Sequence, residues 1–193
     1  MMPRDWSDAV RRIRAMRSVA AAVAAVALIA AASASASSPR VTVHLFGISL
    51  TYPRTWDVHV YRRVGGMPIV HAANFRLPSA ETEDDVGIRA ARRMGRRSIL
   101  LVILESEQAW GARYRTLRGP LRLRRSDFLG AMARRAYVRA FKGVPPNHAI
   151  ARVAFRSRGR LFQLYAQFGA RPVSQPALCA ANAVIETLRI APP

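Results

Sequence analysis

The segment SILLVILE, residues 98–105, decides the fold of this chain. Ile99 to Leu104 are all apolar, and a polar or charged residue bounds the run on each side. An apolar run of this length is typical of a strand that is covered on both faces. The sequence therefore predicts that Ile99–Leu104 lies at the centre of a sheet.

Alternating apolar residues predict a first pair of strands upstream of this run. The segments Val41–Leu45 and Ile48–Tyr52 differ in phase by one residue, which predicts a bulge or a tight turn at Phe46-Gly47. A hairpin is predicted next, from Trp56 through the Gly65-Gly66 turn to a returning strand over Ile69–Leu77.

Downstream of the central run, the pattern predicts another hairpin and a closing helix. Ala149–Arg156 and Arg160–Phe168 form the two strands, with Ser157-Arg158-Gly159 as the turn. After Pro172, apolar residues recur at helical spacing, so a C-terminal helix can lay one apolar stripe on the sheet. These residues are Leu178, Ala181, Ile185 and Leu188. Cys179 lies in this stretch, and we expect it to be a small buried hydrophobe.

Two shorter helices are predicted between the strands. Ser79 or Thr82 can cap a short mid-chain helix with acidic residues in its first turn and arginines near its end. These residues are Glu83, Asp84, Asp85, Arg92, Arg93 and Arg96. Ser126–Ala136 predicts a second helix, while Ala136–Phe141 also fits an extended strand. The pattern leaves that boundary open.

The N-terminal segment has the features of an export signal. Arginines precede an uncharged apolar run from Val19 to Ala32, and overlapping small-x-small motifs follow it. We expect residues 1–36 to be a signal peptide, 37–40 a linker, 41–190 a single domain and 191–193 a tail. The alternative is a single-pass membrane anchor through residues 18–36, although the apolar run is short for a spanning helix.

The chain is strongly basic, with a net charge of +20. Removal of the predicted signal takes away five arginines and two aspartates, which leaves +17. Among the 31 basic residues only Lys142 is a lysine, so codon usage of a GC-rich genome is one source of this bias. Such a charge should attract anionic partners. For an exported protein these are anionic lipid or cell-wall polymer, or an envelope protein, and nucleic acid is disfavoured.

One arginine-rich stretch is the candidate anion-binding site. Its basic residues are Arg113, Arg115, Arg118, Arg122, Arg124 and Arg125. Trp110 and Tyr114 lie among them, and an aromatic ring beside cations suits contact with a lipid headgroup layer or a sugar. The alternative is an ordinary solvated arginine-rich face.

The sequence predicts no catalytic, cofactor or metal site. It contains no nucleophile elbow, no glycine-rich phosphate loop and no paired cysteines. His59 and His71 would face each other across the first hairpin if its loop has three residues, and would point to opposite faces if it has two. No third ligand accompanies them. The alternatives to a binding protein are a secreted enzyme with an unrecognised site and a membrane-anchored accessory subunit.

The segment FGISLTYPRTW, residues 46–56, resembles the opening of PsbP-like and DcrB-like extracytoplasmic domains, whose first strands end in Pro-x-x-Trp, here Pro53 and Trp56. The ending Ala183–Leu188 is similar to their closing helix. The resemblance covers residues 41–190 in the order of elements. It implies an α+β sandwich with a mainly antiparallel sheet, a short mid-chain helix and a C-terminal helix packed on the sheet. It also implies a binding or assembly module of the cell envelope rather than an enzyme.

Overall fold

The computed structural model describes residues 39–62, 66–79, 86–106, 114–141 and 144–193. The strands are β1 (Arg40–Leu45), β2 (Ile48–Pro53), β3 (Asp57–Arg62), β4 (Pro68–Ala73), β5 (Ile99–Ser106), β6 (Arg115–Thr116), β7 (Ala149–Ser157), β8 (Arg160–Phe168) and β9 (Arg189–Ile190). The helices are α1 (Ile88–Arg93), α2 (Ala131–Ala140) and α3 (Gln175–Ile185), and a 3₁₀ turn covers Arg125–Asp127. The chain has an α+β fold, as predicted.

The largest sheet has six strands in the order β3-β4-β5-β8-β7-β6. Its strands are antiparallel except for the short parallel pair of β6 with β7. The predicted central run forms β5, between β4 and β8, and Ile99 to Ile103 are buried. The prediction of a central strand is therefore confirmed.

The first hairpin pairs β1 with β2 around a tight turn at Phe46-Gly47. Phe46 has a φ of 51° and Gly47 a φ of 72°, and two successive positive φ values are typical of the turns that join two-residue hairpins. This turn explains the change of phase in the sequence. The short strand β9, which the sequence pattern did not predict, pairs with β2 and completes a three-stranded sheet.

The second hairpin pairs β3 with β4, but β4 ends at Ala73 rather than at the predicted Leu77. Asn74 turns the chain there, because its side chain donates to the carbonyl of Arg97 and accepts from the N–H of Ile99. Those bonds tie the end of β4 to the start of β5. The Leu77 N–H donates to Asp57 instead of to a neighbouring strand.

Helix α1 begins later than predicted. Gly87, with a φ of 70°, precedes its first residue, Ile88, so Ser79 does not cap it, and Thr82 lies outside the described residues. Its first turn contains no acidic residue, and Glu83–Asp85 lie outside the described residues. The predicted arginines Arg92 and Arg93 do occupy its last turn, where the helix dipole favours positive charge.

Helix α2 resolves the boundary that the sequence left open. Ala136–Ala140 are helical, so the alternative strand over Ala136–Phe141 is wrong. Tyr137 is buried, and its ring lies 4.6 Å from that of Phe141 and 5.6 Å from that of Tyr165. The helix places the Tyr137 ring against Tyr165 of the sheet. This long-range contact is not visible in the local sequence pattern, which left helix and strand open.

The hairpin of β7 and β8 and the closing helix α3 follow the prediction. Arg158 and Gly159 form the turn with positive φ values of 51° and 83°. The Ser174 hydroxyl caps α3 by accepting from the N–H of Ala177, and Ile185 is buried. Cys179 is exposed, however, so its predicted burial is wrong. It lies on the face of α3 opposite the apolar stripe.

The two faces of the six-stranded sheet carry separate cores. On one face, residues of β2 and α3 such as Leu50 and Ile185 pack against Leu101 and Ile103. On the other face, Ala90 and Tyr137 from the shorter helices join Leu100 and Val102. Trp56 is 8% exposed and belongs to the first core, so its indole has a packing role.

A buried ion pair links the six-stranded sheet to the three-stranded sheet. The Arg160 guanidinium donates to both carboxylate oxygens of Glu105, over 2.7 and 2.6 Å, and each side chain is 9% exposed. The same guanidinium donates to the carbonyls of Phe46 (3.1 Å) and Ala191 (3.3 Å). One side chain of β8 therefore holds the first hairpin turn and the segment after β9.

Candidate anion-binding site

The structure does not gather the predicted arginine stretch into one face. Arg113 and Trp110 lie outside the described residues. The Arg115 guanidinium lies 3.6 Å from Asp127 and donates to the carbonyl of Arg122. The Arg122 guanidinium forms an ion pair of 2.9 Å with Glu186. Two of the predicted cations, Arg115 and Arg122, thus form ion pairs with carboxylates of this chain.

Arg118, Arg124 and Arg125 are exposed, and they do not act together. Arg125 lies beside Arg134 and Arg171 in one pocket, whereas Arg118 lies beside arginines of the β7–β8 turn and β9 in another. The Arg124 N–H donates to Asp127 and begins the 3₁₀ turn that presents Arg125. The prediction missed the arginines that complete each pocket, because they come from distant segments of the sequence.

We call the first of these two sites the arginine pocket. It has a volume of about 210 Å³ and is open to solvent. Its lining residues are Arg125, Phe128, Leu129, Arg134, Ala149, Ile150, Arg171, Pro172, Val173 and Leu178. Three cations thus surround an otherwise apolar surface, and no carboxylate from the described part of the chain lines it.

Backbone pairing fixes one wall of the arginine pocket. Phe128 forms an isolated antiparallel bridge with Ala151, and the Leu129 N–H donates 2.8 Å to the carbonyl of Ile150. The Phe128 ring also lies 5.6 Å from that of Phe168 in the first core. The segment after the 3₁₀ turn is therefore held along the outer part of β7, and Arg125 is held with it.

Arg134 is the innermost cation of the pocket. It extends from α2, and one of its terminal nitrogens donates to the carbonyl of Pro146. Its Nε is buried and has no hydrogen-bond partner in the part of the chain that the structure describes. A buried donor without a partner costs free energy, so this N–H is a strained feature of the side chain that also lines the pocket.

We call the second site the arginine groove. It is a broader depression of about 590 Å³. Its lining residues are Leu117, Arg118, Gly119, Pro120, Leu121, Ser157, Arg158, Leu188, Arg189 and Ile190. Arg189 donates to the carbonyls of Glu186 and Leu188 and is held near the backbone. No carboxylate from the described ranges lines this groove either.

Tyr114 lies away from both arginine sites. Burial raises the pKa of Tyr165, Arg152 opposes the shift, and Tyr114 adds to it, which places the two phenols within electrostatic range of each other. Tyr165 donates to Gln163, which also accepts two bonds from Arg152. Tyr165, Gln163 and Arg152 thus form a polar cluster on the six-stranded sheet.

The two histidines of the β3–β4 hairpin face each other. His59 and His71 are direct cross-strand partners, which is the register expected for a loop with an odd number of residues. His59 lies 3.4 Å from Asp57, and the fully buried His71 lies 3.3 Å from the Tyr61 hydroxyl. Among the described residues, no group of three or more His, Cys, Asp or Glu side chains is arranged to hold a metal ion.

Comparison with known proteins identifies no relative. No family model, no curated protein and no solved structure matches this chain. Within the described ranges, no helix has the length and apolar character needed to cross a membrane. Function has to be argued from the site itself.

Proposed function

We propose that this chain is an exported, non-catalytic binding protein of the cell envelope whose partner is an anionic surface, either anionic lipid or cell-wall polymer. One observation carries the proposal. Three arginines from separate segments line each of the two sites, the arginine pocket and the arginine groove, and no carboxylate of the described residues lines either one. Arginine offers a planar fork that matches phosphate and carboxylate oxygens.

The charge of these arginines is available to an outside partner because the carboxylates that the structure describes are engaged elsewhere. Glu105 holds Arg160, Asp127 faces Arg115, and Glu186 faces Arg122. The remaining described carboxylate, Asp57, accepts from the Leu77 N–H. An exposed cation without an internal partner contributes to a positive field that attracts polyanions.

The resemblance to PsbP-like domains fits this proposal. In that class an α+β sandwich serves mainly in binding or assembly, and this chain has an antiparallel sheet with a closing helix. Pro53 ends β2 and Trp56 covers the first core. Our proposal therefore includes the assignment of this chain as a PsbP-like domain.

Vesicle binding tests the proposed function. The purified protein is sedimented with vesicles of phosphatidylglycerol and, separately, of phosphatidylcholine, at 0.01 M and 0.15 M salt. We expect binding to the anionic vesicles alone, with a steep fall at the higher salt, because the screening length shrinks from about 30 Å to about 8 Å. Binding to both lipids, or binding that ignores salt, would contradict the proposal.

A charge-matched pair of variants locates the binding surface. Replacing Arg118 and Arg158 by Gln removes two charges from the arginine groove and should weaken vesicle binding severalfold. Replacing Arg92 and Arg93 by Gln removes the same charge from the end of α1, where it serves the helix dipole, and should weaken binding less. Equal losses would show that only net charge matters.

Export is tested by the mass of the native protein. The small-residue motifs predict a new N-terminus near Ser35 or Ser37, because signal peptidase cleaves after such motifs. Mass spectrometry of the protein from its native host measures this directly. If the chain is recovered in the membrane fraction with Met1 still present, the segment is not cleaved. Residues 18–36 would then be a membrane anchor and not part of a signal peptide.

A further inference from the structure

We propose that the arginine pocket binds a small amphiphile with one anionic head group, a carboxylate or a phosphate, on an apolar body. The inference deepens the proposed function and rests on it only for the sign of the partner's charge. It concerns a single ligand molecule held in a cavity, whereas the proposed function concerns attraction to an extended surface. The two can therefore fail separately.

The head group is specified by the three cations. Arg125, Arg134 and Arg171 reach the pocket from the 3₁₀ turn, from α2 and from the segment after β8. No ion pair to a described carboxylate neutralises any of them. An anionic oxygen in the pocket therefore meets guanidinium groups from three elements. Hydrogen bonds between an ionised donor and an ionised acceptor are the strong ones.

The body of the ligand is specified by the apolar lining. Phe128, Val173 and Leu178 are half-buried and pack against the first core, so part of each side chain remains open to the pocket. A bare phosphate or acetate would leave these apolar side chains exposed to water. Covering it with a hydrocarbon or an aromatic ring adds the favourable burial of apolar area.

The volume sets the size of the ligand. A cavity of about 210 Å³ corresponds to about seven water molecules of about 30 Å³ each in the liquid, so it holds the head group and the first part of a short apolar chain. The pocket is open to solvent, so the rest of a medium-chain carboxylate such as octanoate can extend from its mouth. A wall of the cavity is already fixed by the bonds of Phe128 and Leu129 to β7, so little ordering is needed on binding.

Calorimetric titration of the full chain tests the inference with three probes. Octanoate carries head and body, acetate carries the head alone, and octanol carries the body with an uncharged head. We expect saturable binding of one octanoate per chain, with both other probes at least tenfold weaker. Acetate as strong as octanoate would overturn the apolar part of the inference, and octanol as strong as octanoate would overturn anion recognition.

Two pairs of substitutions place the ligand in the pocket. Arg125→Gln with Arg171→Gln should weaken octanoate binding by about tenfold or more, since both residues are exposed and the fold does not depend on them. Arg118→Gln with Arg158→Gln changes the arginine groove by the same charge and should alter the affinity by less than twofold. Equal losses in the two pairs, or no loss in either, would overturn the assignment. Thermal melting checks that all variants are folded.

Phosphatidylglycerol vesicles distinguish a lipid headgroup from a free amphiphile as the source. If the headgroup enters the pocket, octanoate competes with vesicle binding and the Arg125 and Arg171 variant loses both. If the natural ligand is a free amphiphile, the same variant loses octanoate alone. Octanoate binding without vesicle binding would refute anionic lipid as the partner in the proposed function and keep this inference. Vesicle binding with no octanoate binding would refute this inference and keep the proposed function.

Discussion

The side-chain amide of Asn182, on the closing helix α3, forms hydrogen bonds with both backbone groups of Leu123. Its Oδ1 accepts from the Leu123 N–H over 2.8 Å, and its Nδ2 donates to the Leu123 carbonyl over 3.2 Å, with all four groups buried. Leu123 lies between Arg118 of the groove and Arg125 of the pocket. One side-chain amide therefore anchors the segment from which both arginine sites receive a cation.

Loss of this amide should destabilise the fold. Asn182→Ala leaves a buried N–H and a buried carbonyl without partners, and we expect a loss of about 2–4 kcal/mol in the free energy of unfolding. Urea unfolding measures it. Gln175→Ala on the exposed start of the same helix is the control and should change stability by less than about 0.5 kcal/mol. Equal effects would mean that the loss comes from the helix and not from the anchor.

Removal of Arg160 should be costly because it leaves Glu105 buried without a counter-charge. We expect Arg160→Met to lower the free energy of unfolding by about 3–5 kcal/mol, as is typical when one partner of a buried pair is removed. Arg156→Met, which changes an exposed side chain of β7, is the matched control. Stability equal to that of the control would show that the pair contributes nothing.

Gly169 is predicted to tolerate no side chain. A Cβ at this position would overlap the carbonyl oxygen of Gly95, and the atoms that must move belong to the backbone. We expect Gly169→Ala to cost about 1–3 kcal/mol in chemical unfolding. Gly119→Ala meets nothing within 4 Å and should be nearly neutral. A neutral Gly169→Ala would show that the two segments separate easily.

His148 should make the fold sensitive to acid. The side chain is 2% exposed, and burial lowers its pKa below the ordinary value of about 6.5. The unfolded chain therefore takes up the proton first, so this contribution is fully present above about pH 6.5 and is lost as the pH falls towards the lowered pKa. Unfolding free energies between pH 7.5 and 5 measure the slope.

Replacement of His148 by Gln is expected to flatten that slope, because the side chain then has no proton to gain. The control is His44→Gln on the exposed strand β1, which should retain the slope of the parent protein. A slope that is unchanged in His148→Gln would assign the acid sensitivity to other groups.

Local patterns in the sequence were sufficient for most of the fold. The apolar run at Ile99–Leu104, the turn residues Phe46-Gly47 and the helical spacing after Pro172 each act within a few neighbouring residues. The end of β4 could not be predicted, because the Asn74 side chain sets it through bonds to the start of β5. Likewise β9 is only two residues long and exists through its pairing with β2.

The site was less predictable than the fold for the same reason. Arg118 and Arg125 were identified as cations, but the pattern could not show that they lie in different sites. Arg171 joins Arg125 only because β7 and β8 pair and carry the following segment back to the 3₁₀ turn. Arg122 lies between Arg118 and Arg125 in the sequence, but Glu186 from another part of the chain neutralises its charge. The sequence pattern could not show this ion pair.

The bonds around Arg160 determine how the domain opens. The Ala191 N–H donates to the carbonyl of Gly47, and Arg160 binds the carbonyls of Ala191 and Phe46. Residues near the two ends of the described domain are thereby joined to the middle of the six-stranded sheet. Fraying of the C-terminal residues cannot proceed apart from the first hairpin, so both segments belong to one cooperative unit in hydrogen exchange.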